Sequence, residues 1–171
     1  VGNDISGFAD PAYLPICAAH GASVVATHIR LGPRVADPNP EYDDVVVDVR
    51  EFLRDRAQAA EAAGIKRERI MVDDGLDLGK SEPQSLALLR TSDQLAALGY
   101  PTFLSASNKR FLGLLCGTEV DDRRDATLAA HAIGIAMGCR VLRSHDVRSS
   151  RRVADTLAAL REARDGQVRS A

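Results

Sequence analysis

Lysine is nearly missing from this chain. Of its 22 basic residues only three, Lys66, Lys80 and Lys109, are lysine, and the rest are arginine. Cysteine is as sparse: Cys17, Cys116 and Cys139 stand far apart in apolar surroundings, with no Cys-x-x-Cys pair. That pattern argues against a thiolate metal site and for small buried hydrophobes in a reduced, cytoplasmic compartment. No apolar run approaches the roughly 18–20 residues of a bilayer-spanning helix, so no membrane partner is expected. The net charge of −2 gives no bulk reason to expect nucleic acid either. The opening "VGNDISG" has neither the basic nor the apolar segment of a secretory leader, and it reads as the end of a strand, so a start inside the fold is expected. No Gly-x-Gly-x-x-Gly follows any strand-like segment, which weakens a dinucleotide-binding reading. His20, His28, His131 and His145 share no metal-ligand spacing, and no nucleophile elbow is present.

What is present is an alternation. At 171 residues, 45% hydrophobic and 27% charged, the chain has material for one domain with a substantial core. "GASVVATHI" (21–29), "ERIMVDD" (68–74), "YPTFLSAS" (100–107) and "CRVLRSHD" (139–146) read as strands after the opening strand end. Helices are expected over 10–20, 41–64 (closed by Gly64), 82–99 (Pro83 early, Gly99 last), 121–138 and 149–166. Residues 1–165 are expected to form one unit and 166–171 a frayed tail. Strands alternating with helices argue a parallel sheet flanked by helices. Two architectures fit: an open doubly wound sheet, or a TIM-type (β/α)8 barrel of which this chain holds about the last five β/α units. The barrel reading then requires about three more units before Val1.

Polar residues follow every strand: Asn3-Asp4, His28, Asp73-Asp74, Ser107-Asn108-Lys109, and Arg143 with His145-Asp146. A barrel gathers its site at this C-terminal rim from several strands at once. Asp73, at the mouth of a buried strand, could accept hydrogen bonds from the N–H groups of a flat heterocycle, or be a turn or cap aspartate. Lys109 could serve a ring carbonyl or offset an anion, or be a solvated loop lysine. Arg143 and His145, two apart in a strand, would share a face suited to a phosphate or diphosphate; the alternative is an arginine paired with a nearby acid. His28 stands alone and reads equally well as structural.

Seven short motifs stand in one order and spacing: Asn3-Asp4 with Ser6-Gly7, "THI" at 27–29, "PEYDDV" at 40–45, "AGI" at 63–65, "VDDGLDLGK" at 72–80, "SNK" at 107–109 and "RSHDV" at 143–147. Together they resemble the C-terminal two-thirds of the dihydropteroate synthase family, from residue 1 to about 165. The resemblance implies a (β/α)8 barrel, a homodimer, and condensation of a dihydropterin diphosphate with para-aminobenzoate, releasing diphosphate, in folate synthesis. It implies magnesium as the companion of the diphosphate, with no metal ligands in this chain, and sulfonamide-like analogues as ligands of the aminobenzoate side. By resemblance Asn3, Asp73 and Lys109 contact the pterin, and Arg143 and His145 hold the diphosphate; Lys109, Arg143 and His145 are the catalytic candidates.

Departures gather on the other substrate's side. The family's Asp-Pro-Gly, aromatic, Gly, Phe, Gly-Lys reads Asp73-Asp74-Gly75-Leu76-Asp77-Leu78-Gly79-Lys80 here, and its Ser-Arg-Lys-Ser reads Ser107-Asn108-Lys109-Arg110. Leu78, Ser107, Asn108 and Arg110 therefore mark an altered para-aminobenzoate side. Two extra carboxylates there would repel an anionic acid. The expectation is a diverged paralogue that keeps pterin and diphosphate contacts with weak or lost synthase activity; the alternative is an active synthase.

Overall fold

The computed structural model describes residues 1–164; the tail expected at 166–171 lies outside the described residues. Five short strands run parallel: β1 (Gly2–Asp4), β2 (Val24–Thr27), β3 (Ile70–Asp73), β4 (Phe103–Leu104) and β5 (Val141–Leu142). Each pairs with its neighbour in sequence. Asn3 lies opposite Val25, Thr27 opposite Asp73, and Leu104 opposite Leu142. Between β3 and β4 the pairing thins to one parallel bridge, Val72 with Thr102, and the Val72 N–H donates to the Pro101 carbonyl at 3.1 Å. A doubly wound sheet reverses its strand order at a switch point. This one never reverses, so the two architectures open at the sequence level resolve to an arc of a (β/α)8 barrel.

The helices are α1 (Tyr13–Ala19), α2 (Val45–Ala62), α3 (Glu82–Arg90), α4 (Ser92–Ala96), α5 (Arg110–Cys116), α6 (Arg124–Ala136) and α7 (Val147–Arg164). None among the described residues is long and apolar enough to cross a membrane. α2 shows how the layers meet. Asp44 caps it, its carboxylate accepting the Val46 and Val47 N–H groups at 2.9 and 3.2 Å. Val49, Leu53, Ala57 and Ala60 then bury one stripe at helical spacing. Gly64, at φ +93, ends the helix as the sequence predicts. The stripe lies over β2, whose four residues are all buried, the mark of a strand covered on both faces.

Four expectations need correction. The single helix predicted over 82–99 breaks at Thr91, whose hydroxyl donates to the Ala87 carbonyl at 2.8 Å. That back-bond competes with helix continuation. α5 fell in a stretch read as connection. Its end is marked by Gly117 at φ +63, but the carboxylate at its start comes from Asp77, far away in sequence. The last two strands are two residues each, so residues 143–146 do not alternate faces. The Arg143 N–H still bonds the Leu104 carbonyl at 2.9 Å, and the chain then turns: Asp146 accepts the Ser149 N–H at 3.0 Å to open α7. Arg143 and His145 are therefore placed by a turn, not by a strand face. Of the cysteines expected inside, Cys139 is buried, Cys17 half-buried and Cys116 exposed.

Asp44→Ala removes two N-terminal acceptor contacts from the longest helix covering β2. It is expected to lower stability by about 1 kcal/mol, read as a shift of the urea midpoint at unchanged slope.

Candidate functional site at the strand C-termini

The parallel arrangement delivers the polar strand ends to one rim. At β1, the Asn3 side-chain oxygen accepts from the Thr27 hydroxyl of β2 at 3.3 Å. At β3, Asp73 is 3% exposed and its Oδ1 takes the Gly75 N–H at 2.8 Å, so the turn reading holds for that oxygen. After β4, Lys109 is not a solvated loop residue. It is half-buried, and its ammonium donates to the Leu76 carbonyl at 2.8 Å, above the loop that Asp73 begins. After β5, Arg143 and His145 are exposed. No acid pairs with Arg143 among the described residues. His145 Nδ1 lies 2.8 Å from the Ser107 hydroxyl.

The loop after β3 is wound around Lys80. This residue is 8% exposed, yet its ammonium touches no carboxylate. It meets the Gly75 and Leu78 carbonyls at 3.0 and 3.1 Å and His28 Nδ1 at 2.9 Å. Burial holds its pKa below the ordinary lysine range, with Asp74 and then Asp73 opposing that shift. Burial first, and the Lys80 charge second, depress His28 to about 3, so the imidazole is neutral and Nδ1 is the acceptor. Its ring packs edge-on against Phe52 at 4.9 Å. His28 is thus structural. Gly75, Asp77 and Gly79 all have positive φ, between 62° and 65°. At Gly75 no other residue fits, because a Cβ there would strike the His28 carbonyl.

Sequence reasoning missed the structural roles of two residues of this loop. Lys80 was only the end of a motif, although the scarcity of lysine that singled out Lys109 applies to it equally. A guanidinium is a planar fork; three acceptors around one point suit an ammonium. Asp77 stands in the sequence only as an extra carboxylate that would repel an anionic acid, with no structural partner foreseen. It accepts the Phe111 N–H of α5, at 3.3 Å to each oxygen, and its own N–H donates to the Ser85 hydroxyl at 3.3 Å.

The residues expected to mark an altered side divide between two cavities. Arg110 is exposed and lines a cavity of about 310 Å³ with Asp37, Asp77, Lys80 and Glu82. Leu78 is half-buried in the loop beside it, its carbonyl on Lys80. Ser107 and Asn108 face a second cavity, about 280 Å³, with His145, Arg124 and Thr127. Asn108 sits at φ +57, a conformation asparagine tolerates. Magnesium finds no ligand set here: among the described residues no three of His, Cys, Asp or Glu converge. Asp73 is held by its own turn, and Asp74 points elsewhere.

Asp74 is 4% exposed and borders a small cavity with Val46, Arg50, Thr91 and Gln94. Its Oδ1 has no partner. Burial, and then the neighbouring Asp73 charge, push its pKa well above the usual carboxylate range. Over that interval the folded protein keeps a proton the unfolded chain has lost, so the Asp74 contribution to stability is fullest at acid pH and is lost as pH rises through its raised pKa. Asp74→Asn is expected to flatten that fall and to add about 1–2 kcal/mol at neutral pH and above. Urea unfolding at a series of pH values measures both. Gly75→Ala is expected to destabilise by about 3 kcal/mol or more, read in the same assay.

Comparison with known proteins agrees with this geometry. A family model described as "Pterin binding enzyme" matches residues 1–145. The chain is 36% identical over 167 residues to a Mycobacterium leprae protein named inactive dihydropteroate synthase 2, covering 95% of this chain and 57% of that one. It superposes on the dihydropteroate synthase of Stenotrophomonas maltophilia with a TM-score of 0.89 at 36% identity, covering 93% of this chain and 60% of that one. The Thermus thermophilus enzyme is similar in two complexes. With 6HMPPP the TM-score is 0.84, and with 4-aminobenzoate 0.87, each at 35% identity and 92% of this chain, and at 61% and 62% of the solved chains. The chain thus spans somewhat more than half the length of these relatives. From its matched residues and its fold alike, it belongs to the pterin-binding enzyme family, among the dihydropteroate synthases and their second-copy relatives.

Proposed function

We propose that this chain supplies the pterin- and diphosphate-contacting rim of a dihydropteroate synthase-like protein whose acceptor side has diverged, so that synthase activity with para-aminobenzoate is weak or lost. The observation that carries this reading is Asp77. It places a carboxylate in the loop on the acceptor side and ties it to the first turn of α5, while Asp73, Lys109, Arg143 and His145 keep the rim positions a pterin diphosphate would use.

The chemistry assigned to each residue follows from its environment. Asp73 is walled in, so a hydrogen bond from a flat ring's N–H groups competes with little water. The Lys109 ammonium, held over the same loop, donates to a ring carbonyl. The Asn3 amide completes the ring's edge. Arg143 and His145 are exposed donors for the diphosphate. As the bond from the pterin methylene to diphosphate breaks, negative charge grows on the departing oxygen, and these donors stabilise it. An acceptor amine then attacks the methylene, so the protein's work is mainly positioning. Para-aminobenzoate is an anion, and the Asp77 charge, with Glu82 across the same cavity, opposes it. The protein functions as a homodimer in the cytoplasm on this reading.

The test uses intact protein with dihydropterin diphosphate, magnesium and labelled para-aminobenzoate. Pterin binding with turnover absent or far below ordinary synthase rates is the expected result; turnover at ordinary synthase rates would sink the proposal. Combining Asp77→Gly, Leu78→Phe and Asn108→Arg is expected to raise turnover roughly ten- to thirtyfold, one aromatic contact and one removed repulsion each contributing about 1 kcal/mol. The arginine at position 108 costs about 1 kcal/mol of stability for its left-handed backbone. Unchanged turnover would refute these substitutions as the cause.

A further inference from the structure

Two serine–histidine pairs lie near the rim, and their hydrogen bonds can be followed to the last proton. Ser107 is 3% exposed. Its Oγ accepts the His145 backbone N–H at 3.1 Å and lies 2.8 Å from His145 Nδ1. A hydroxyl has one proton and two lone pairs. The backbone N–H can only donate, so it takes one lone pair. The only acceptor within reach of the proton, among the described residues, is Nδ1. A buried hydroxyl proton left without an acceptor is unfavourable. Ser107 therefore donates to Nδ1, Nδ1 is bare, and the neutral imidazole carries its proton on Nε2.

The second pair works the other way. His131 Nδ1 lies 3.1 Å from the Ser150 hydroxyl, which donates to the Asp146 carbonyl at 2.9 Å. The Ser144 hydroxyl approaches the same oxygen at 2.7 Å. With its proton on Asp146, Ser150 Oγ accepts from Ser144 and from an Nδ1–H of His131. His131 Nε2 is buried without a partner, and a bare lone pair there is cheaper than a stranded N–H. The two histidines thus carry opposite tautomers.

We propose that Ser107 is a positioning residue that fixes His145 as the Nε2–H tautomer, giving the rim a directed N–H donor, two residues after Arg143 in the chain, for a phosphate oxygen of a diphosphate ester. The opposite tautomer would turn a lone pair toward that oxygen. The ligand half rests on the function proposed above; the tautomer half does not. It also assigns Ser107, otherwise grouped with the acceptor side, to the diphosphate side.

The test is nitrogen-resolved NMR of the intact labelled protein at about pH 8, where an ordinary imidazole is neutral. Each of the four histidines is assigned by substitution. His145 is expected to show a bare Nδ1 and a protonated Nε2, and His131 the reverse. A protonated Nδ1 on His145 overturns the proposal without any variant having to fold. Calorimetry with inorganic diphosphate supplies the second arm. Ser107→Ala is expected to weaken binding about fivefold and Ser107→Thr to restore it. In a His145→Gln background, Ser107→Ala is expected to cause no further loss. A full fivefold loss there would show Ser107 acting independently and overturn its role through His145. A wild-type protein with the expected tautomer that ignores diphosphate overturns the anion reading of the rim and leaves the tautomer assignment standing.

Discussion

The geometry of the rim depends on one buried ammonium. Lys80 has no carboxylate partner; it is held by two carbonyls of its own loop and by a neutral imidazole from the neighbouring strand. That arrangement folds the loop inward and leaves its outer groups facing the rest of the rim. The Leu76 carbonyl then receives Lys109, and the Asp77 carboxylate receives α5. Two of the three lysines therefore hold the same few residues, one from beneath and one from above. Arginine, abundant elsewhere in the chain, has the wrong shape for either place.

Charge at the rim is balanced within narrow limits. Asp73 and Asp74 are adjacent, buried, and both pushed upward first by burial. Lys80 and Lys109 pull both back. The divergent residues are built into this balance and into the backbone. Asp77 sits in a left-handed turn and supplies a helix with its acceptor, and Asn108 occupies a second left-handed position. Residues at which this chain departs from the family pattern thus also hold structure, and replacing them touches folding.

The alternation of strand and helix, the rim and most of its polar residues were legible in the sequence because each depends on local signals. β2 is a β-branched run, Gly64 stops a helix, and a polar residue follows each apolar segment. What was hidden depends on partners far along the chain. α5 is short, and the carboxylate at its start comes from Asp77. The break at Thr91 turns on where one hydroxyl points. The shared face assigned to Arg143 and His145 assumed a strand that stops at Leu142. Ser107 gave no sign of its partner, since His145 lies 38 residues later.

The thin pairing between β3 and β4 has a mechanical meaning. Asn3 and Asp73 belong to the three-stranded part of the arc; Lys109, Arg143 and His145 belong to the two-stranded part. Across the seam run one strand bridge, the Lys109 bond to Leu76 and the Phe111 bond to Asp77. A molecule gripped by Asp73 at one end and His145 at the other would be a rivet through that seam. Occupancy and stiffness of the barrel wall would then be a single quantity, seen from the ligand's side or from the sheet's.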